Sequence, residues 1–166
     1  MTRGGWGYWL STIVAIDGPA ASGKSSVARE VALRLGFHYV DSGALYRGIS
    51  WLALEHNLAP EDCAGLEALV KRVDFAFVPD GGAVRFLLDG HDPSAALRAE
   101  PVRARVSAVA AMPGVRAAIT AWLRTTVRFG DIVMDGRDIG TVVFPAAAHK
   151  YFLDADPGAR ARRRHA

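Results

Sequence analysis

Apolar and polar positions along this chain fall into short blocks whose period changes from one block to the next. Ile13 to Asp17 is an apolar run with β-branched residues, which predicts a buried strand. A glycine-rich turn follows, and from Lys24 to Leu35 the apolar residues Val27, Val31 and Leu35 recur opposite Arg29, Glu30 and Arg34. That is the period of an amphipathic helix, with Gly36 placed to end it as a C-cap. Phe37 to Asp41 is β-rich again, so strand, turn, helix and strand predict a right-handed βαβ unit in a parallel sheet. A helix is expected after Asp41 to about His56, and another from Pro60 to Arg72.

The texture then changes. Asp74 to Gly90 holds two β-rich segments around Asp80-Gly81-Gly82, a hairpin signature. Because it interrupts an alternating α/β pattern, it is expected to form a small inserted sheet outside the parallel core. Helical patterns resume at Asp92-Pro93-Ser94 and from Glu100-Pro101 to Met112. Past the Pro113-Gly114 break a further helix is expected from Val115 to Arg128, with Val115, Ile119, Trp122 and Leu123 inward. Ile132 to Asp135 reads as the third core strand and Lys150 to Asp154 as the fourth, and Asp156-Pro157 opens a last helix rich in arginine. The expected class is α/β: a parallel sheet flanked by helices on both faces, with an inserted hairpin. Residues 1–12 read as an N-terminal extension ahead of one domain over residues 13–166.

Composition narrows the classes. At 166 residues the chain supports one domain with a real core, and 51% hydrophobic with 22% charged residues is globular. Of the basic residues only Lys24, Lys71 and Lys150 are lysines. An arginine-heavy repertoire suits bidentate phosphate recognition, and a GC-rich coding sequence produces the same bias. No basic run is long enough, or interleaved enough with aromatics, to argue for nucleic acid. Cys63 stands alone, which excludes a disulfide framework or cysteine metal site and fits a reducing cytoplasm. The apolar stretch near the N-terminus is too short and broken for a signal peptide or a membrane span.

The chemistry concentrates where strands end. Gly18 to Ser25 satisfies G-x-x-x-x-G-K-[ST], a loop whose successive N–H groups form an anion nest. Gly18, Pro19, Ala20, Ala21, Ser22, Gly23, Lys24, Ser25 and Ser26 are thus candidates to hold a nucleotide, with Lys24 on the β- and γ-phosphates and Ser25 on Mg²⁺. A chance match in an alanine-rich turn is the bland alternative, and the strand before and helix after argue against it. In an open parallel sheet, ligands sit beyond the carboxyl ends of the strands. Asp41, Ser42 and Arg47 therefore share the rim of this loop, although Asp41 or Ser42 also suits a helix cap. Asp135-Gly136-Arg137-Asp138 puts two carboxylates and a guanidinium on the same rim, a concentration that is costly unless paired or bound to ligand.

Four motifs in this order, IDGPAASGKSS at Ile16, DSGALYR at Asp41, SAVAAMPGVR at Ser107 and DGRDIGTVVFP at Asp135, resemble the bacterial cytidylate kinase family of P-loop nucleoside monophosphate kinases. The resemblance implies transfer of the γ-phosphoryl of ATP to CMP or dCMP. It implies an acceptor site of Ser42, Arg47, Ser107, Arg116 and Asp138, bordered by Asp41. Arg116 would meet the CMP phosphate, and Ser107 and Asp138 the base and sugar. Arg137, with Lys24, would act at the transferring phosphoryl, and residues 74–100 would close over the monophosphate. No general base is demanded, because a monophosphate oxygen is already anionic. Ser25 is the metal candidate, and Asp41 and Asp135 stay open as carboxylates reaching Mg²⁺ through water. Family members continue into a lid with further arginines, a final strand and a helix. The 166-residue chain is accordingly expected to turn over at least about a hundredfold more slowly than a lid-bearing version. A catalytically weak ATP-binding module and a P-loop kinase of another small acceptor, such as a shikimate-like acid, are the alternatives. A monomer with no nucleic-acid or membrane partner is expected.

Overall fold

The computed structural model describes residues 11–165; residues 1–10, most of the expected N-terminal extension, lie outside that range. Six strands form one sheet: β1 (Ile13–Asp17), β2 (His38–Asp41), β3 (Phe75–Asp80), β4 (Ala83–Leu88), β5 (Ile132–Gly136) and β6 (His149–Phe152), in the order β3-β4-β2-β5-β1-β6. Every residue of β5 is buried, as expected of an apolar run in a parallel strand covered on both faces. It separates β1 from β2 and pairs parallel with both, Ile132 lying opposite Ile13 on one side and His38 on the other. The same register puts Asp135 beside Ile16 and Asp41. The carboxyl ends of the three central strands therefore share one rim.

Two helical layers cover this sheet. On one face α1 (Lys24–Leu35) buries Ala28 and Ala32 against Val14, Ile16, Tyr39 and Val133. The other face carries α2 (Ser42–Glu55), α3 (Cys63–Arg72), α4 (Glu100–Ala111) and α5 (Pro113–Arg124). Their core includes Leu45, Ile49, Leu66, Val109, Ile119 and Leu123, packed with Ala15, Val40 and Met134 of the sheet. A last helix, α6 (Pro157–His165), follows β6. Pro113 sits at the start of α5, where its missing N–H costs nothing, so the Pro-Gly pair begins this helix as well as ending its predecessor. Among the described residues no single helix is long and apolar enough to cross a membrane. The α4–α5 pair passes by length and composition, but it is bent by 95° and turns Val102, Val109, Val115, Ile119 and Leu123 into the core.

Four expectations change. The hairpin is not a sheet of its own: β3 and β4 pair antiparallel from Phe75–Leu88 to Asp80–Ala83, and β4 joins β2 in parallel at Tyr39–Ala83. The sheet is therefore mixed. On α1 the buried stripe is alanine, with Val31 packed partly buried beside it, while Val27 and Leu35 are exposed: the face against the sheet is rotated from the one the valines and leucine mark. The segment from Asp92 to Ala99 folds as successive turns, with the Asp92 carboxylate accepting from the backbone N–H and hydroxyl of Ser94. Finally, α5 stops at Arg124, a 3₁₀ segment (Thr125–Phe129) follows, and a π-helical turn (Ile139–Val143) appears where no element was expected.

Candidate functional site

The loop between β1 and α1 is shaped by close approach. A Cβ on Gly18 would lie 2.1 Å from the Leu153 carbonyl oxygen, so any other residue there would push the loop off β6. Gly23 caps α1 at φ 94° and Ala21 adopts φ 62°, left-handed conformations that turn successive amides toward one side. The N-terminus of α1 adds its unpaired N–H groups and positive dipole end at the same point. Pro19 and Ala20 are half-buried at the front of this loop, Ser22 is buried, and Ser26 is exposed on the first turn of the helix.

Lys24 Nζ donates to the Pro19 carbonyl at 3.1 Å, which holds the ammonium at the mouth of the loop. Burial lowers its pKa, with Arg137 and Arg47 adding to that effect and Asp135 and Asp41 opposing it. Beside it, Ser25 Oγ donates to Asp135 Oδ2 at 2.8 Å and Tyr39 Oη donates to Asp135 Oδ1 at 2.7 Å. Asp135 is 2% exposed, and burial, then the neighbouring Asp41, raise its pKa. The two hydroxyl donors and Lys24 counter that shift without reversing it.

Asp41 is committed differently. Its Oδ1 accepts from the Ala44 amide at 2.9 Å as the N-cap of α2, and its Oδ2 takes Arg47 Nη2 at 2.8 Å. Capping and rim roles thus coincide. Ser42 is buried, with Oγ donating to the Asp135 carbonyl at 2.7 Å, so its hydroxyl ties α2 to the end of β5. Arg116 of α5 forms an ion pair with Asp138, and its other Nη reaches the Ala110 carbonyl at 3.3 Å. Tyr46 lies within the field of this pair, and burial raises its phenol pKa. Arg137 is exposed and, with Gly18, Pro19, Phe152, Asp154 and Arg160, lines a cleft of about 390 Å³ against the loop. Ser107 is the predicted residue left out of this convergence: it is exposed on α4, and its side chain makes no hydrogen bond to any described residue.

Three contributors escape sequence reasoning. Asp17 is buried and accepts from the amides of Ile139 at 2.7 Å and Gly140 at 2.9 Å, anchoring the segment that carries Arg137 and Asp138. Tyr39 and Tyr46 read as ordinary apolar positions of a strand and a helix. The one legible signal is the unpaired acid of Asp17 inside an apolar run, since a buried carboxylate must find donors.

Comparison with known proteins gives the arrangement its context. The chain is 45% identical over 152 residues to a cytidylate kinase from Carboxydothermus hydrogenoformans, covering 92% of this chain and 68% of that protein. It is 46% identical over 154 residues to a cytidylate kinase from Symbiobacterium thermophilum, again covering 92% and 68%. A bifunctional pantoate ligase/cytidylate kinase from Synechococcus sp. (strain RCC307) is 47% identical over 155 residues, 93% of this chain and 30% of that protein. The chain therefore spans about two thirds of the single-function relatives and under a third of the bifunctional one. The family model described as cytidylate kinase matches residues 14–166, and the chain belongs to that family.

Proposed function

We propose that this chain transfers the γ-phosphoryl group of ATP to CMP or dCMP. The observation that carries the reading is the convergence on one sheet rim of two sites: Lys24, Ser25 and Asp135 behind the glycine-rich loop, and the Arg116–Asp138 pair beside it. Phosphoryl transfer asks a protein chiefly for positioning and charge neutralisation, and the two sites divide that work.

The residues present fit a magnesium nucleotide. The loop's left-handed backbone and the α1 N-terminus suit phosphate, and a hydroxyl beside a carboxylate is the hard oxygen set that Mg²⁺ takes. Bound Mg²⁺ supplies charge neutralisation on the phosphoryl oxygens. Ser25 would hold it, with Asp135 as the outer carboxylate. Asp41 is the weaker choice because it caps α2 and its charge is already neutralised by the ion pair with Arg47, whereas Asp135 is bonded to the Ser25 hydroxyl itself. Lys24 grips the β- and γ-phosphates, and Arg137, exposed on the cleft wall, meets the charge that develops during transfer.

On the acceptor side, Arg116 and Arg47 bind the monophosphate, Ser42 fixes the α2 end of the pocket, and Asp138 accepts from amino or hydroxyl groups of the cytidine. Ser107 joins them by motif alone, from the exposed face of α4. Residues 74–100 form the part that covers the monophosphate.

ADP formation measured in parallel with CMP, dCMP, UMP, AMP and shikimate, with Lys24→Ala as the blank, tests the reading. Turnover confined to the two cytidine monophosphates is expected. A pocket that pairs an exocyclic amine leaves a polar group unpaired with uracil and discriminates strongly. Turnover of a different acceptor displaces the proposal, and ATP binding with no acceptor turned over favours a nucleotide-binding module.

A further inference from the structure

Tyr39 sits on β2, facing α1, among Val14, Ile16, Ala28, Ala32 and Val133, and is 5% exposed. A phenylalanine would fill that space equally well. Tyr39 is paired with Val133 across the strands, and Asp135 lies two residues further along β5 on the same face. The ring therefore runs diagonally along the sheet, and its hydroxyl reaches Asp135 Oδ1 at 2.7 Å. At the outer end the Arg29 guanidinium lies 4.4 Å from the ring centroid, a cation–π contact that fixes the ring plane.

The consequence falls on Ser25. An isolated carboxylate rotates between its two oxygens and exchanges donors. Asp135 has a separate hydroxyl on each oxygen, so Oδ2 is held toward Ser25 while Oδ1 is held by Tyr39. Ser25 then spends its proton on the carboxylate and keeps its lone pairs available to a cation. Without the Tyr39 hydroxyl, Asp135 Oδ1 would be a buried, unpaired acceptor, and the carboxylate would turn to share the Ser25 proton between its oxygens.

We propose that Tyr39 is a positioning residue of the donor site, acting through Asp135 to orient the Ser25 hydroxyl toward the divalent cation of the bound nucleotide. The inference rests on the reading of this site as one that binds metal–ATP. It concerns the metal-dependent part of binding alone, because Tyr39 lies behind Asp135 and does not line the cleft beside the loop.

Calorimetric titration of the 166-residue chain with a non-hydrolysable ATP analogue, once with Mn²⁺ and once in EDTA, separates the two parts. For Tyr39→Phe the affinity for the Mn²⁺ complex is expected to fall by roughly tenfold, as for other residues that orient a metal ligand. Affinity in EDTA is expected to match wild type, while the melting temperature in EDTA falls by a few degrees, the cost of leaving Asp135 Oδ1 without its donor. Combined with Ser25→Ala, the substitution is expected to add little to the loss from Ser25→Ala alone, the non-additivity of two residues acting through one contact. Wild-type affinity for the Mn²⁺ complex in Tyr39→Phe overturns the inference, as does an equal loss with and without metal, which marks a purely structural role. A wild-type chain that gains nothing from Mn²⁺ overturns the parent reading of the site instead.

Discussion

Asp135 holds its carboxylate where a charge is disfavoured. It is buried at the end of β5 with Asp41 alongside, and both effects raise its pKa from 3.8. The sign of the stability consequence follows directly. Between the ordinary carboxylate pKa and the raised folded value the native chain binds more protons than the unfolded one, so this group's contribution falls as pH rises through that window. Asp135→Asn removes the titration. In metal-free buffer its melting temperature relative to wild type is expected to improve from about pH 4 to pH 7, while turnover falls by roughly a hundredfold. A melting difference that stays flat with pH contradicts this account. Stability is thus given up at the residue to which the proposed function assigns the metal-side carboxylate.

At the scale of elements, the π-helical turn Ile139–Val143 is held at both ends by charge of the matching sign. The Asp17 carboxylate accepts the amides of Ile139 and Gly140 at its start. The Arg124 guanidinium donates to the carbonyls of Val143 at 2.9 Å and Val142 at 2.8 Å at its end. An anion at the amino end and a cation at the carboxyl end is the favourable arrangement for aligned peptide dipoles. Because Asp138 immediately precedes this turn, the clamp sets where the Asp138 carboxylate stands. Asp17→Asn keeps one acceptor for two amides. It is expected to cost about 1–3 kcal/mol, which lowers the melting temperature by roughly 2–4 °C per kcal/mol in a domain of this size. The apparent KM for CMP is expected to rise by about tenfold, the effect of some 1.4 kcal/mol at the acceptor site. Unchanged melting and an unchanged KM would contradict the clamp. The lone acid of Asp17 was legible in the sequence but its partners were not, since they lie 122 and 123 positions away. The α1 expectation shifted for a related reason: helical period identifies amphipathicity, but the alanines Ala28 and Ala32 and not Val27 or Leu35 turn out to face the sheet, with Val31 at the edge of that face.

For the molecule as a whole, the legible parts were those encoded locally. Gly18 to Ser25 carries its own geometry, and the turn at Gly81-Gly82 carries that of the hairpin, so loop, helix α1 and hairpin were all foreseen. Strand order was not, because nothing local records that β5, more than a hundred residues after β1, inserts between β1 and β2. Nor was the joining of β4 to β2, which rests on the Tyr39–Ala83 pairing and the Tyr39 amide bonding the Gly82 carbonyl at 2.8 Å. Long-range topology assembles the site from locally readable pieces: β1 leads into the glycine-rich loop, β2 and the α2 that follows it deliver Asp41 and Arg47, and β5 and the residues just after it deliver Asp135 to Asp138 on one rim. The central claim is that donor and acceptor sites face each other across that rim. It is tested most directly by binding of a bisubstrate analogue, adenosine and cytidine joined 5′ to 5′ through five phosphates, measured with Mg²⁺. Occupying both sites at once is expected to bind it at least about 100-fold more tightly than ATP or CMP alone. Affinity equal to that of ATP, or equal to that of the corresponding diadenosine compound, would contradict the claim.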